Sequence, residues 1–317
     1  MHVEERHATA ADGTRLWWRA GGRGAPAVVL CDGIGCAGWI WRELFPRLAL
    51  RRRVIHWNYR GHGKSERPRD VERTTIGDCV EDLVAVLDAA GERRAVVVGH
   101  SMGVQVSLEA HRRHPGRVRA LALLCGAPGR TLDTFHGRRF LATVFPSIQR
   151  FVLARPGAAR WLFTRAATTA PVVQLARFLE VNWQLLSRED LERYFLDLAE
   201  VDPEVFVRML GHAAEHDAAD HLREVDVPTL VVGGEKDTFT PLALSRRMHE
   251  AIAGSELLVL PAATHVGPLE HPELVALRVE KFLDERVAGG RARRVGARRR
   301  RSPSPRRAGG PGRGAPR

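Results

Sequence analysis

The sequence lacks long apolar runs, paired cysteine motifs and a leader-like first segment. No apolar stretch approaches the roughly 18 residues that a membrane-spanning helix needs. The first residues, Met-His-Val-Glu-Glu-Arg-His, contain no apolar core of the kind found in secretory signal peptides. The four cysteines, Cys31, Cys36, Cys79 and Cys125, form no Cys-x-x-Cys pair, so neither a zinc site nor a disulfide framework is indicated. We therefore expect a cytoplasmic protein with buried free thiols.

Acidic residues are missing from the end of the chain. Residues 289–317 contain eleven arginines and no Asp or Glu, and subtracting these from the formal net charge of +12 leaves +1 for residues 1–288. The total charge is thus a poor argument for a nucleic-acid-binding domain. Gly, Ala, Pro, Ser and Arg dominate residues 288–317, which predicts a disordered tail. Electrostatic contact of this tail with nucleic acid or an anionic surface is the alternative, although the tail has no aromatic residue for base stacking.

Short apolar runs alternate with amphipathic segments on both sides of the middle of the chain. A hairpin is expected around Asp12-Gly13. Buried strands are expected at 27–31, 54–57, 95–98, 118–125, 227–232 and 256–260, and helices at 39–50, 75–90, 104–114, 241–253 and 271–287. This alternation predicts an α/β fold with a mostly parallel sheet and helices on both faces.

Residues 130–220 interrupt the alternation. They contain no buried-strand run, and aromatic residues are scattered through segments of helical character. The predicted organisation is a core made of residues 1–129 and 221–287, a helical cap at 130–220, and the tail at 288–317. An insertion of this kind often lies over the carboxyl ends of the strands, where such sheets bind their ligands.

The pattern Gly-x-Ser-x-Gly follows the run at 95–98 and precedes an amphipathic segment. It places Ser101 between Gly99 and Gly103. A serine on a sharp turn from a strand to a helix projects its hydroxyl into a cleft, and the glycines avoid collisions with neighbouring elements. Ser101 is therefore a candidate nucleophile if a base and an acid accompany it.

Two later loops supply candidates for the base and the acid. Asp237 lies a few residues after the run at 227–232, and we prefer it to Glu235, which is closer to the strand. His265 is the one histidine in the loop after 256–260, whereas His271 fits better as a surface residue. In a parallel sheet these loops meet at one edge, as a nucleophile, base and acid must.

With these residues in place the chain resembles the α/β-hydrolase family, in particular its cap-bearing, esterase-like members. The resemblance covers about residues 10–287 and rests on Gly-His-Ser-Met-Gly at 99–103, Arg-Gly-His-Gly-Lys-Ser at 60–65, Gly-Glu-Lys-Asp at 234–237 and Thr-His-Val at 264–266. It implies an eight-stranded sheet and the order Ser, Asp, His for the catalytic residues. It also implies an oxyanion hole formed by the backbone N–H groups of Met102 and Ile34.

Two positions depart from the family pattern. Asp32-Gly33 stands where family members commonly have His-Gly, which puts an extra acid near the site. Val104 replaces the usual small residue after the turn and must fit against a neighbouring element. A serine nucleophile also disfavours the haloalkane dehalogenase and epoxide hydrolase chemistries of this fold.

The expected activity is cleavage of a carboxylic ester, or a related acyl bond, of a small apolar substrate through an acyl-enzyme on Ser101. His265 serves as the base and Asp237 orients it, and no metal or cofactor is required. The same residues also suit C–C bond hydrolysis, lactone opening or cofactor-free perhydrolysis. A hydrolase-like protein that binds a small molecule with little turnover is a further alternative.

Overall fold

The computed structural model describes residues 2–130, 132, 140–166 and 200–288. The tail and much of the predicted cap therefore lie outside the described residues. The described strands form an eight-stranded sheet in the order β1-β2-β4-β3-β5-β6-β7-β8. Their bounds are β1 Val3–Thr9, β2 Arg15–Gly21, β3 Val28–Cys31, β4 Val54–Trp57, β5 Ala95–His100, β6 Val118–Leu124, β7 Thr229–Gly234 and β8 Glu256–Leu260.

The sheet is antiparallel at one edge and parallel elsewhere. The hairpin strands β1 and β2 pair antiparallel, and β2 pairs antiparallel with β4. All pairs from β4 through β3 to β8 are parallel. The predicted mostly parallel, eight-stranded sheet is confirmed. Its parallel part brings the loops after β3, β5, β7 and β8 to the same edge.

The helices predicted at 75–90, 104–114 and 241–253 begin and end within two residues of the observed ones. The helix predicted at 271–287 is α-helical over Pro272–Phe282 and continues as a π-helix over Leu283–Ala288. The described α-helices are α1 Leu44–Ala49, α2 Ile76–Ala89, α3 Met102–Arg113, α4 Phe140–Ala154, α5 Pro156–Ala166, α6 Pro203–Glu215, α7 Leu242–Ala251, α8 Gly267–Glu270 and α9 Pro272–Phe282. None of these described helices has the length and apolar character needed to cross a membrane. In α2, Thr75 and Asp78 form a reciprocal capping box that fixes the start of the helix.

The single helix expected over residues 39–50 is wrong. A short 3-10 helix spans Trp39–Trp41, and α1 begins only at Leu44. Pro46 gives the reason. A continuous helix would need its N–H to donate to the carbonyl of Arg42, but proline has no N–H. Backbone N–H groups in the first turn of a helix have no acceptor within the helix. A proline, which has no N–H, is therefore tolerated at position 46 in the first turn of α1.

Two apolar layers enclose the sheet because side chains alternate along each buried strand. Val97 of β5 points to the layer formed with α2, α3 and α7, while Val96 and Val98 point to the layer formed with α1 and α9. All four cysteines lie in the described part of the chain, where they are buried and form no disulfide. This double burial explains why β3 and β5 appear in the sequence as uninterrupted apolar runs.

The described residues between β6 and β7 are largely helical. Helix α6 contacts the core, where Gln105 Nε2 donates to the carbonyl of Ala213 at 2.8 Å and His212 Nδ1 lies 3.2 Å from Thr74 Oγ1. Asp202 caps the start of α6 by accepting from the amide of Glu204. The segment that returns to β7 is thereby fixed against α2 and α3.

Candidate active site

Ser101 occupies a strained turn between β5 and α3. Its φ of 55° and ψ of −118° lie outside the regions that non-glycine residues favour. A β-carbon at Gly99 would lie 2.1 Å from the carbonyl oxygen of Gly103, and one at Gly103 would lie 2.3 Å from that of Cys31. Both positions therefore require glycine, as the motif predicts.

Val104, the unusual residue after the turn, is accommodated by a glycine on the next strand's loop. Val104 is fully buried, and a β-carbon at Gly126 would lie 2.4 Å from its Cγ2. The same β-carbon would lie 2.6 Å from the carbonyl oxygen of Ser101. Gly126 has no side chain, and the space beside it accommodates the larger side chain of Val104.

His265 lies between Ser101 and Asp237. Its Nε2 is 2.9 Å from Ser101 Oγ, and its Nδ1 is 3.0 Å from Asp237 Oδ2. With the proton on Nδ1, the imidazole donates to the carboxylate and accepts from the serine hydroxyl. The three side chains come from the loops after β5, β7 and β8, and the structure brings all three together.

Asp237 is held by more hydrogen bonds than its sequence position reveals. Its Oδ1 accepts from the amides of Phe239 and Thr240, and its Oδ2 accepts from Thr240 Oγ1 at 2.8 Å. Burial raises the pKa of Asp237, but the charge of His265 and the hydrogen bonds from His265 and Thr240 outweigh that effect and lower it. Thr240 was not selected from the sequence, although a threonine three residues after an aspartate is a recognisable turn signal.

The two competing residues lie elsewhere. Glu235 is exposed and accepts from the amide of Ala262 at 2.8 Å. His271 donates from Nε2 to the carbonyl of Pro261 at 2.9 Å. Both therefore make backbone contacts near the site without reaching Ser101.

The loop after β3 faces Ser101 from the opposite side. A β-carbon at Gly33 would lie 3.0 Å from Ser101 Cβ and 3.5 Å from its Oγ. Met102 begins α3, and Ile34 follows Gly33 in the loop. No carbonyl in the described part of the backbone accepts from the amide of either residue. Both amides thus have the free donor that the sequence interpretation assigns to them.

Asp32 has a partner that the sequence analysis did not identify. Its Oδ2 lies 2.9 Å from His56 Nε2, and both side chains are fully buried. The carbonyl oxygen of Asp32 accepts from Tyr59 Oη at 2.9 Å. The carboxylate of the extra acid is therefore directed at β4, while its backbone carbonyl contacts the loop that follows β4.

His100 is a third residue that the sequence analysis did not identify, after Thr240 and His56. Its Nε2 donates to the carbonyl of His265 at 2.9 Å. Burial, with the nearby charge of His265, lowers its pKa to about 3, so the imidazole is neutral at ordinary pH. Glu270 contributes to the same loop by accepting from the amide and the hydroxyl of Thr264. The sequence gives one signal for His100, which is the position of this residue next to Ser101 in the Gly-His-Ser-Met-Gly motif.

The chain is similar in sequence and in fold to known proteins. The family model described as alpha/beta hydrolase fold matches residues 26–272. The chain is 32% identical over 272 residues to the dihydrolipoyllysine-residue acetyltransferase component of an acetoin cleaving system from Pseudomonas putida, covering 84% of this chain and 66% of that protein. It is 29% identical over 264 residues to a pimeloyl-[acyl-carrier protein] methyl ester esterase from Neisseria meningitidis serogroup B, covering 81% and 92%.

A solved structure shows the same fold. The esterase EaEST from Exiguobacterium antarcticum superimposes with a TM-score of 0.71 at 20% identity, covering 89% of this chain and 100% of the esterase.

Proposed function

Because the chain belongs to the alpha/beta hydrolase fold family, we propose that it is a serine hydrolase that cleaves a carboxylic ester of a small, apolar substrate. The observation that carries this proposal is the hydrogen-bond chain from Ser101 Oγ through His265 to Asp237, with links of 2.9 and 3.0 Å. Such a chain activates a serine hydroxyl at neutral pH without a metal ion.

In the first half of the proposed reaction, Ser101 attacks the ester carbonyl. His265 Nε2 takes the hydroxyl proton, and Asp237 stabilises the resulting imidazolium through Nδ1. The amides of Met102 and Ile34 donate to the oxyanion that forms on the carbonyl oxygen. The C–O bond to the leaving group then breaks, and the alcohol departs with the proton from His265.

In the second half, water hydrolyses the acyl-enzyme. His265 removes a proton from the water as its oxygen attacks the acyl carbon, and the same amides hold the second oxyanion. The bond to Ser101 Oγ breaks and the hydroxyl regains its proton. Atoms and charges balance with the acid and the alcohol as products, so the proposed cycle uses this chain's own residues alone.

We further propose that residues 130–220, which include helices α4, α5 and α6, act as a cap that admits the substrate. Phe145 packs among buried residues of α4 and α6, whereas Phe151 and Trp161 are 41% and 60% exposed. This apolar character supports a substrate with an apolar acyl or aromatic part. The names of the two relatives, an acetyltransferase component and a methyl ester esterase, support chemistry at an acyl group.

Pre-steady-state kinetics with p-nitrophenyl esters test the proposal. We expect a burst of p-nitrophenol that equals the enzyme concentration, followed by slower turnover. Ser101→Ala should abolish both phases while leaving the folded structure intact. Ser255→Ala is the matched control, because Ser255 Oγ also contacts a histidine, His249, at 2.9 Å. Activity retained by Ser101→Ala would contradict the proposal.

A substrate screen distinguishes the alternatives. It should include esters of graded acyl length, thioesters, lactones and diketones, each with wild type and Ser101→Ala. Preference for lactones or diketones over esters would replace the ester assignment but keep Ser101 as nucleophile. Binding of these compounds with no burst and no turnover would instead favour the small-molecule binding protein.

A further inference from the structure

The Asp32–His56 pair is the starting point, because both side chains have no solvent exposure. A carboxylate and an imidazole removed from water are costly unless they are hydrogen-bonded to each other. Here Oδ2 and Nε2 are 2.9 Å apart. Among the described residues, nothing forms a hydrogen bond with the other carboxylate oxygen, Oδ1, or with the other ring nitrogen, Nδ1. This is therefore the one hydrogen bond of either side chain in that part of the protein, and Asp32 also interacts with the positive charge of Arg19.

The imidazole of His56 is held in one orientation. A β-carbon at Gly38 would lie 2.5 Å from His56 Cε1, so the backbone there closes directly over the ring. The indole of Trp17 contacts the ring edge to face, with centroids 5.9 Å apart. His56 itself lies on the interior strand β4, between β2 and β3. It is thus a rigid point to which a loop can be attached.

The loop attached to it is the one that faces Ser101. Asp32 immediately precedes Gly33 and Ile34, and its own carbonyl is fixed by Tyr59 Oη. A β-carbon at Gly103 would lie 2.8 Å from this carbonyl oxygen, so the first turn of α3 packs against it. The side chain and the carbonyl of Asp32 therefore fix the loop at two atoms.

We propose that Asp32 and His56 are positioning residues that hold the backbone of Gly33 and Ile34 opposite Ser101, and so set the geometry of oxyanion binding. This inference rests on the proposed hydrolase function. The positioning role requires a hydrogen-bond acceptor at position 32, and the negative charge of the carboxylate matters less. The reason is that the hydrogen bond to His56 Nε2 determines where the loop lies. A displacement of about 1 Å in such a donor lowers kcat by about 100-fold.

The experiment compares Asp32→Ala with Asp32→Asn, whose amide oxygen keeps an acceptor for His56. Glu109→Ala is the matched control: Glu109 Oε2 lies 3.2 Å from His216 Nε2, and the two side chains are 6% and 15% exposed. Steady-state kcat and KM, the inhibition constant of a trifluoromethyl ketone and the thermal midpoint are measured for each variant. The ketone forms a tetrahedral adduct with an oxyanion, so its affinity reports the oxyanion site.

We expect Asp32→Ala to lower kcat by about 10- to 100-fold and to weaken the ketone by a similar factor, with KM within about threefold of wild type. Asp32→Asn should recover most of both losses, and Glu109→Ala should leave kcat and ketone affinity unchanged. If Asp32→Ala does not fold, His56→Leu, which removes the donor to Asp32, must show the same loss from the other side of the hydrogen bond.

Three outcomes would overturn the inference: unchanged kcat in Asp32→Ala, unchanged ketone affinity despite a lower kcat, or equal losses in Asp32→Ala and Asp32→Asn. These outcomes test the inference only if the wild-type protein is active and shows a burst. A wild type without burst and turnover contradicts the proposed function itself, so the two failures are distinguishable.

Discussion

His100 Nε2 donates to the backbone carbonyl of His265 at 2.9 Å, so the residue before the strained serine holds the loop that carries its histidine partner. The two imidazoles lie with ring centroids 5.1 Å apart. Trp41 contacts His100 edge to face from the other side, with centroids 6.3 Å apart. This arrangement joins the loops after β5 and β8 through one buried donor.

Loss of that donor should loosen the loop that carries His265. We expect His100→Leu to lower kcat about fivefold to tenfold, because a hydrogen bond of this kind contributes about 1 kcal/mol and its loss leaves a carbonyl unpaired. His271→Leu is the control, since His271 donates to a carbonyl at the exposed start of the same loop. Steady-state kinetics with a p-nitrophenyl ester measure both; equal losses would show that the buried contact has no special role.

The strain at Ser101 should be measurable as stability. Ser101→Ala and Ser101→Gly both remove the hydroxyl, but only glycine relieves the φ of 55°. Residues held in such conformations cost about 1–3 kcal/mol. We therefore expect Ser101→Gly to be more stable than Ser101→Ala in chemical denaturation, by about 1 kcal/mol or more. Equal stability of the two variants would show that the turn stores no strain.

The elements and the three candidate residues could be predicted because their signals are local. Buried strands such as β3 and β5 are continuous apolar runs, and Ser101, Asp237 and His265 each follow such a run within a few residues. In a parallel sheet this position determines which edge a loop reaches. The predicted sheet required no knowledge of individual contacts, since helices cover both of its faces.

The supporting contacts could not be predicted because their partners are distant in the chain. His56 lies 24 residues from Asp32, and His100 lies 165 residues from its acceptor at His265. Neither separation leaves a periodic trace in the sequence. The space for Val104 is likewise provided by Gly126, on a loop after the neighbouring strand. Such contacts follow from the packing of the finished sheet.

Gly33 should be intolerant of a methyl group, although its backbone conformation does not demand glycine. The added carbon would lie 3.0 Å from Ser101 Cβ and 3.2 Å from His100 Nδ1. We expect Gly33→Ala to lower kcat/KM by at least about tenfold, because the substrate carbonyl must approach Ser101 through this space. Gly116→Ala is the control, as its added carbon meets nothing within 4 Å. Full activity of Gly33→Ala in ester hydrolysis would place the reacting carbonyl elsewhere.

Asp237→Asn should preserve the turn but not the charge that orients His265. The amide retains an acceptor for the Thr240 amide, yet it allows the wrong imidazole tautomer, so we expect kcat to fall by about 10⁴. Asp226→Asn is the control, because Asp226 contacts His111 at 3.1 Å and is largely exposed. Single-turnover kinetics at neutral pH would measure both. A fall of less than tenfold in Asp237→Asn would assign the acid role to another residue.

The lowered pKa of Asp237 also makes the free energy of unfolding depend on pH. The unfolded carboxyl titrates near 3.8, whereas the folded one titrates lower. The charged form thus stabilises the fold above pH 3.8, and this contribution is lost as the pH falls through the folded pKa. The stability difference between wild type and Asp237→Asn in urea should therefore narrow below pH 3.8.

Buried neutral histidines should make the protein sensitive to mild acid. Burial lowers the pKa of His62, although the Arg60 carbonyl and Asp32 oppose it, and lowers that of His100 to about 3. Unfolded histidine titrates near 6.5, so below that pH the unfolded chain binds protons that the native chain does not. Stability must then fall with decreasing pH, by up to about 1.4 kcal/mol per pH unit for each group.

Comparison of variants between pH 6.5 and 5 isolates this effect, because carboxyl groups titrate mostly below that range. Urea unfolding of His100→Leu should show a smaller loss of stability across the range than wild type. His7→Leu, which alters an exposed histidine on β1, should match the wild-type slope. Identical slopes for His100→Leu and wild type would mean that His100 takes up a proton in the native state. In that case a protonated His100 would still donate its hydrogen bond to the carbonyl of His265. The rate of ester hydrolysis should then fall less than the free energy of unfolding as the pH decreases.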